Sequence, residues 1–231
     1  YGPDQWYGET NGSTMTMTRE DLTFGSSGVP GRPQHHIRCD VTSMIGATHY
    51  AKLTQPIEGA DMFSGQNATA SVYLRSPNTS SGIKVGIALR QHFGSGGSAA
   101  VEKIGWTTVT ITSAWDRYTV PFAVPTVLNK IKGTDDYLEF QLWFDAGASV
   151  DDGNYPVGHQ TAVFDIATPQ LEPGQYATPF EQRDELPYLF RYYEKSHNID
   201  VEPGASTADG MIGGDPWTFM GSSGGQAIFR Y

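Results

Sequence analysis

Gln66-Asn67-Ala68-Thr69-Ala70-Ser71-Val72-Tyr73-Leu74-Arg75 decides the fold. Ala68, Ala70, Val72 and Leu74 fall on one face of an extended chain, and Thr69, Ser71 and Tyr73 on the other. That period of two is the mark of a half-buried strand. Ser76-Pro77-Asn78 follows as a turn. The next segment, 83–93, repeats the pattern through Ile83, Val85, Ile87 and Leu89, then meets Gly94-Ser95-Gly96-Gly97-Ser98, read as a flexible hairpin loop. Downstream the same reading predicts strands over 106–112, 117–124, 137–144 and 161–166. Upstream it predicts them at 14–18, 36–41 and 49–53, with residues 1–13 left as loop. In 137–144, Leu138, Phe140 and Leu142 are in phase.

Composition agrees. The 231 residues include 27 Gly and 14 Pro, with 12% aromatic and only 17% charged residues. Gly and Pro are costly within helices, whereas aromatic and β-branched side chains suit a pleated, half-buried surface. Many short strands separated by turn signals describe an all-β, antiparallel, jelly-roll-like β-sandwich. The sandwich is placed at 1–183, a linker or short helix at 184–195 (Pro187 suiting a first turn), and a small, incomplete β-rich C-terminal element at 196–231. Beginning at Tyr1 and ending within a strand pattern, the chain is read as a fragment.

Twenty-five acidic residues against fifteen basic ones give a formal charge of −10. With no basic stripe to offset it, such a surface repels a phosphate backbone, so nucleic acid is not an expected partner. No apolar run has the length of a membrane span, and no membrane insertion is expected. Cys39 is the only cysteine, which excludes an intrachain disulfide and predicts a buried thiol packed as a small hydrophobe.

Enzyme signatures are sparse. His35-His36 and His49 lack metal-ligand spacing, and neither a Gly-x-Ser-x-Gly elbow nor a phosphate loop is present. Asp135-Asp136 and Asp151-Asp152 are acidic pairs, but Asp favours turns by bonding its local backbone. Asp151, Asp152 and Asn154 are the candidate for a structural Ca²⁺, without the full EF-hand pattern. No cofactor is expected. Sugar recognition needs aromatic faces beside hydrogen-bonding groups. Trp143 is out of phase with Leu138, Phe140 and Leu142, so it points off the core face, either into a binding surface or against a neighbouring subunit. Tyr155 and His159 lie in the loop that follows. Trp143, Tyr155 and His159 are therefore the ligand-binding candidates.

The stretch Gln170-Leu171-Glu172-Pro173-Gly174-Gln175-Tyr176-Ala177-Thr178-Pro179-Phe180-Glu181-Gln182-Arg183, followed by Glu185-Leu186 and Arg191-Tyr192-Tyr193, resembles a junction of phage tail-fibre and minor virion structural proteins. Leu189-Phe190 stand where that family often has Cys-Gln. Asp4-Gln5-Trp6-Tyr7, Gln55-Pro56-Ile57-Glu58, Ala68–Ser76 and Trp115-Asp116-Arg117-Tyr118-Thr119-Val120-Pro121-Phe122 are similar to further family stretches in the same order. The resemblance spans roughly residues 1–195, the length of an ordinary domain. It implies a jelly-roll protein of the virion surface, homotrimeric, with no defined ligand. The expected function is host attachment without catalysis, through a cell-surface glycan. A capsid-decoration, head-fibre or joining protein contacting other virion proteins is the alternative, and a glycan depolymerase the third.

Overall fold

The computed structural model describes residues 6–22, 28–30, 33–78 and 82–180. The segments placed by sequence at 184–195 and 196–231 lie outside the described residues. The alternation within Ala68–Leu74 does what its period requires: all four apolar side chains are buried. Their strand, β5, spans Asn67–Arg75. In chain order the others are β1 (Tyr7–Asn11), β2 (Thr14–Asp21), β3 (His35–Thr42), β4 (Tyr50–Glu58), β6 (Ile83–His92), β7 (Val101–Ile111), β8 (Asp116–Ala123), β9 (Tyr137–Ala146) and β10 (Ala162–Pro173). Every named pairing is antiparallel.

The strands form two five-stranded sheets, ordered β1-β4-β9-β6-β7 and β2-β3-β10-β5-β8. The chain crosses repeatedly from one to the other, giving the jelly-roll β-sandwich expected from the turn spacing. Between the sheets lies one apolar core. Leu53, Ile87, Leu89, Leu138, Phe140, Leu142 and Phe144 from the first sheet face Leu74, Phe122, Phe164 and Ile166 from the second. Phe144 and Phe164 stack across the gap, centroids 4.4 Å apart. Each such side chain stabilises the fold by about 1.5–3 kcal/mol relative to exposure. Cys39 is fully buried in this core, and that burial pushes its thiol pKa up.

Three local features differ from the sequence reading. Residues 7–11, assigned to a loop, form β1. Gly8 there lies against the Met15 and Met17 side chains of β2. β10 runs well past Ile166. A register shift between Ala167 and Gln170, with Thr168 at φ +44°, lets the strand bend and pair again with β5. Gln170-Leu171-Glu172-Pro173 is thus the second half of a central strand, paired with Ala68–Ser71. The glycine-rich 94–98 loop is fastened at both ends rather than flexible. Ser95 and Thr134 exchange main-chain hydrogen bonds of 2.8 and 3.1 Å, and Gly133 N–H donates to Phe93 O at 2.7 Å. Small residues are needed because the two backbones nearly touch: a Cβ on Gly94 would sit 2.0 Å from Thr134 O.

Candidate functional site

Cross-strand register determines which side chains share the outward face of the first sheet. Tyr137 is opposite Glu58 and His92; Glu139 is opposite Pro56 and Arg90. Gln141 is opposite Thr54 and Ala88, with Tyr7 next to Thr54; Trp143 is opposite Lys52 and Gly86, with Glu9 next to Lys52. Directly opposed residues project on the same side, so these four rows form one surface. It is unusual for its polar content. Glu139, Gln141, Thr54 and Lys52 are all buried on it, although none faces the core between the sheets.

One end of the surface is walled. Trp106 packs on Trp143 with centroids 5.4 Å apart, and Tyr50 approaches Trp143 from the other side at 5.5 Å. Residues 150–157 lie over them. Trp106 Nε1 donates to Tyr155 O at 3.0 Å, Lys103 Nζ donates to Asp151 O at 2.8 Å, and Val157 joins the same cluster. Gly86 permits this, since a Cβ there would meet the Trp106 ring at 2.6 Å.

Beyond the wall the polar groups are held in a fixed array. Glu139 receives Arg90 at 3.0 Å and Lys52 at 3.5 Å. Arg90 extends to Glu102 at 2.7 Å, and Lys52 to Glu9 at 3.0 Å. Tyr50 donates its hydroxyl to Glu9. Burial alone would raise the Glu9 pKa, but the Tyr50 hydrogen bond and Lys52 charge outweigh it and hold the carboxyl below its usual range. Burial likewise works against the Arg90 cation, yet its bonds to Glu102 and Glu139 keep it firmly protonated. His92 and Tyr137 stack at 4.6 Å and 20°, both half-buried, at the end of the array away from the wall. Gln141 accepts from Trp143 Nε1 at 3.0 Å, leaving its buried Nε2 without a hydrogen-bond partner among the described residues.

The sequence candidates are distributed differently. Trp143 does leave the core face, as its phase requires. Only 7% exposed, it is covered by Trp106, Tyr50 and the Lys52 ammonium, 5.0 Å over its ring. It is neither an open platform nor a residue waiting for a neighbouring subunit, because its own chain covers it. Tyr155 is 60% exposed, on the outside of the wall, and contributes its carbonyl to Trp106 and Thr108. His159 lies near the same end of β9 as Trp143, but among the loops at the edge of the sandwich, which it ties together. Its Nδ1 lies 3.0 Å from Asp145 Oδ1 and 3.2 Å from Ser43 Oγ, and its Nε2 3.1 Å from Gly46 O. Ser43, His159 and Asp145 are the residue types of a hydrolytic triad, but their geometry is wrong for one. Serine and aspartate share the same ring nitrogen, Ser43 donates directly to Asp145 at 2.7 Å, and Nε2 faces the main chain. The three candidates do not assemble into one patch.

The Ca²⁺ candidate behaves as turn residues do. Asp151 accepts from the N–H groups of Asp152, Val157 and Gly158, and Asp152 from those of Asn154 and Tyr155. Among the described residues no group of three or more His, Cys, Asp or Glu side chains could hold a metal ion.

The second sheet's outward face is organised around Asp165, fully buried between Arg38 at 2.7 Å and Arg75 at 2.8 Å, with His36 3.3 Å away. Part of this face is crossed by the chain itself: Thr69 Oγ1 donates to Gly174 O at 2.8 Å, and Arg117 donates to Thr178 O. Aromatic and polar groups also meet on this face, where Trp115 lies 5.4 Å from His36 and beneath the Arg75 guanidinium at 4.7 Å.

No known family profile and no curated protein matches the sequence. Among solved structures, similarity extends to the CBM22-1 xylan-binding domain from Paenibacillus barcinonensis, at 10% identity and TM-score 0.46, over 76% of this chain and 89% of that one. A family 11 carbohydrate-binding module from Clostridium thermocellum, solved with a β-1,3-1,4-mixed-linked tetrasaccharide, is similar at 11% identity and TM-score 0.48. It is matched over 74% of this chain and 89% of its own. The enzymatically active domain of tailspike protein 4 of bacteriophage CBA120 is similar at 14% identity and TM-score 0.45, over 74% of this chain but 20% of that one.

Proposed function

We propose that this chain is a non-enzymatic attachment module of a bacteriophage surface appendage, binding a host glycan on the open outward face of the β1-β4-β9-β6-β7 sheet. One observation carries the reading: the Tyr137–His92 stack borders a rigid array of Glu139, Arg90, Glu102, Lys52 and Glu9. A pyranose has an apolar face and a hydroxyl rim, so it suits an aromatic surface next to fixed donors and acceptors. The ion pairs hold the polar groups in place before binding, which lowers the ordering cost of association. The distorted Ser43–His159–Asp145 cluster and the ion-paired Glu139 favour binding over cleavage. The phage setting, the homotrimer and contacts with other virion proteins rest on the sequence resemblance.

The test is affinity electrophoresis through gels containing polysaccharides, with Tyr137→Ala as the comparison. Retardation of the wild-type protein, lost in a variant with the same melting temperature, supports the face. Equal retardation of the two places binding elsewhere. Release of reducing sugar during long incubation would sink the non-enzymatic reading.

A further inference from the structure

Resting on that reading, we infer that the face selects uncharged glycans and rejects polyanionic ones such as uronate-rich or sulfated polysaccharides. Among the described residues, the cations placed on this face all have partners. Lys52 is held between Glu9 and Glu139, and Arg90 between Glu102 and Glu139. At the wall, Lys103 donates to Asp151 O and lies over the Trp106 ring, and Lys84 donates to Pro156 O at 3.3 Å. Against these four cations stand four carboxylates, since Glu58 shares the row of Tyr137. The Glu102 side chain is half exposed beside Arg90, where an approaching anion would meet it.

A carboxylate or sulfate on a sugar would have to displace a protein carboxylate to reach Arg90 or Lys52, and it would do so against the chain's overall charge of −10. Hydroxyl groups meet no such penalty. The partly exposed carboxylates of Glu9 and Glu102 keep lone pairs to accept from them, and such bonds to an ionised acceptor are the stronger kind. Like-charge juxtaposition is a means of rejecting a wrong partner as much as a failure to attract it.

A glycan panel containing neutral polymers (dextran, galactomannan, xylan) and acidic ones (alginate, polygalacturonate, heparin) tests this at low and high salt. The expected result is binding within the neutral set only, lost in Tyr137→Ala and insensitive to salt. A Glu102→Gln variant, which frees one edge of Arg90, is expected to gain affinity for the uronate polymers by about threefold or more at low salt, with the gain screened away as salt rises. Binding of an acidic polymer by the wild-type protein, abolished by Tyr137→Ala, would overturn the selectivity and leave the glycan-binding reading standing. Binding to neither set overturns both.

Discussion

Lys52 and Glu139 sit on adjacent strands of one sheet, Nζ 3.5 Å from Oε1, both almost fully removed from solvent on the side away from the hydrophobic core. Breaking a buried pair by removing one partner is more damaging than replacing both. Glu139→Ala is therefore expected to cost about 3 kcal/mol, because it strands parts of Lys52 and Arg90 together. The double variant Lys52→Met/Glu139→Leu should be less destabilised than the sum of its single variants by at least about 1 kcal/mol. Urea denaturation midpoints of Glu139→Ala and of the four proteins of the Lys52→Met/Glu139→Leu cycle check this.

Trp143 and Tyr137 separate structure from binding, although both alternate outward from β9. Trp143→Ala removes the ring on which Trp106, Tyr50 and the 150–157 segment pack, and should destabilise by about 3–5 kcal/mol. Tyr137→Ala removes a half-exposed ring and should leave the melting temperature within a few degrees while weakening glycan binding about tenfold or more. Calorimetric melting and a binding titration on each variant distinguish the two roles.

Acid stability should depend on Asp165. Its burial alone would raise the carboxyl pKa, but His36, Arg38 and Arg75 outweigh it and depress it well below the usual range. A depressed folded pKa contributes stability that is fully present above the unfolded carboxyl value, about pH 4, and is lost as pH falls through and below it. Melting temperatures from pH 6 down to pH 2.5 should therefore fall more steeply for the wild-type protein than for Asp165→Asn.

Cys39 should be silent to thiol reagents in the native state. It is fully buried, and that burial disfavours the thiolate on which reactivity depends. Titration with a chromogenic disulfide is expected to find no fast-reacting thiol in buffer and one per chain in guanidinium chloride.

Gly94→Ala should destabilise by more than about 1 kcal/mol, because the position combines φ +77° with a main-chain oxygen 2.0 Å from the added carbon. A hydrogen-exchange comparison should show lost protection at Ser95 and Thr134, the amides this crossing shelters.

The period-two pattern determined most of the sandwich by itself, because in a strand the alternation of side chains is a property of the backbone and needs no partner. Ala68 to Leu74, and Leu138 to Phe144, announce both the strand and the buried face. The candidate site lies on the other phase of β9, in Tyr137, Glu139, Gln141 and Trp143, of which the sequence reading singles out only Trp143, although a charged residue in so apolar a strand is a visible signal. What sequence could not supply was the company these residues keep. Glu139 meets Lys52 from 87 residues upstream and Arg90 from 49 upstream. Trp143, exposed by phase alone, is covered by Trp106 and by residues of the 150–157 segment. Asp151 and Asp152 are turn acceptors, and the serine, histidine and aspartate at 43, 159 and 145 form a loop clamp. Phase is local and can be read along the chain. Burial of an outward residue, the pairing of a charge and the angle at which a histidine meets its neighbours depend on strand order and register between distant segments, and only the tertiary structure decides those.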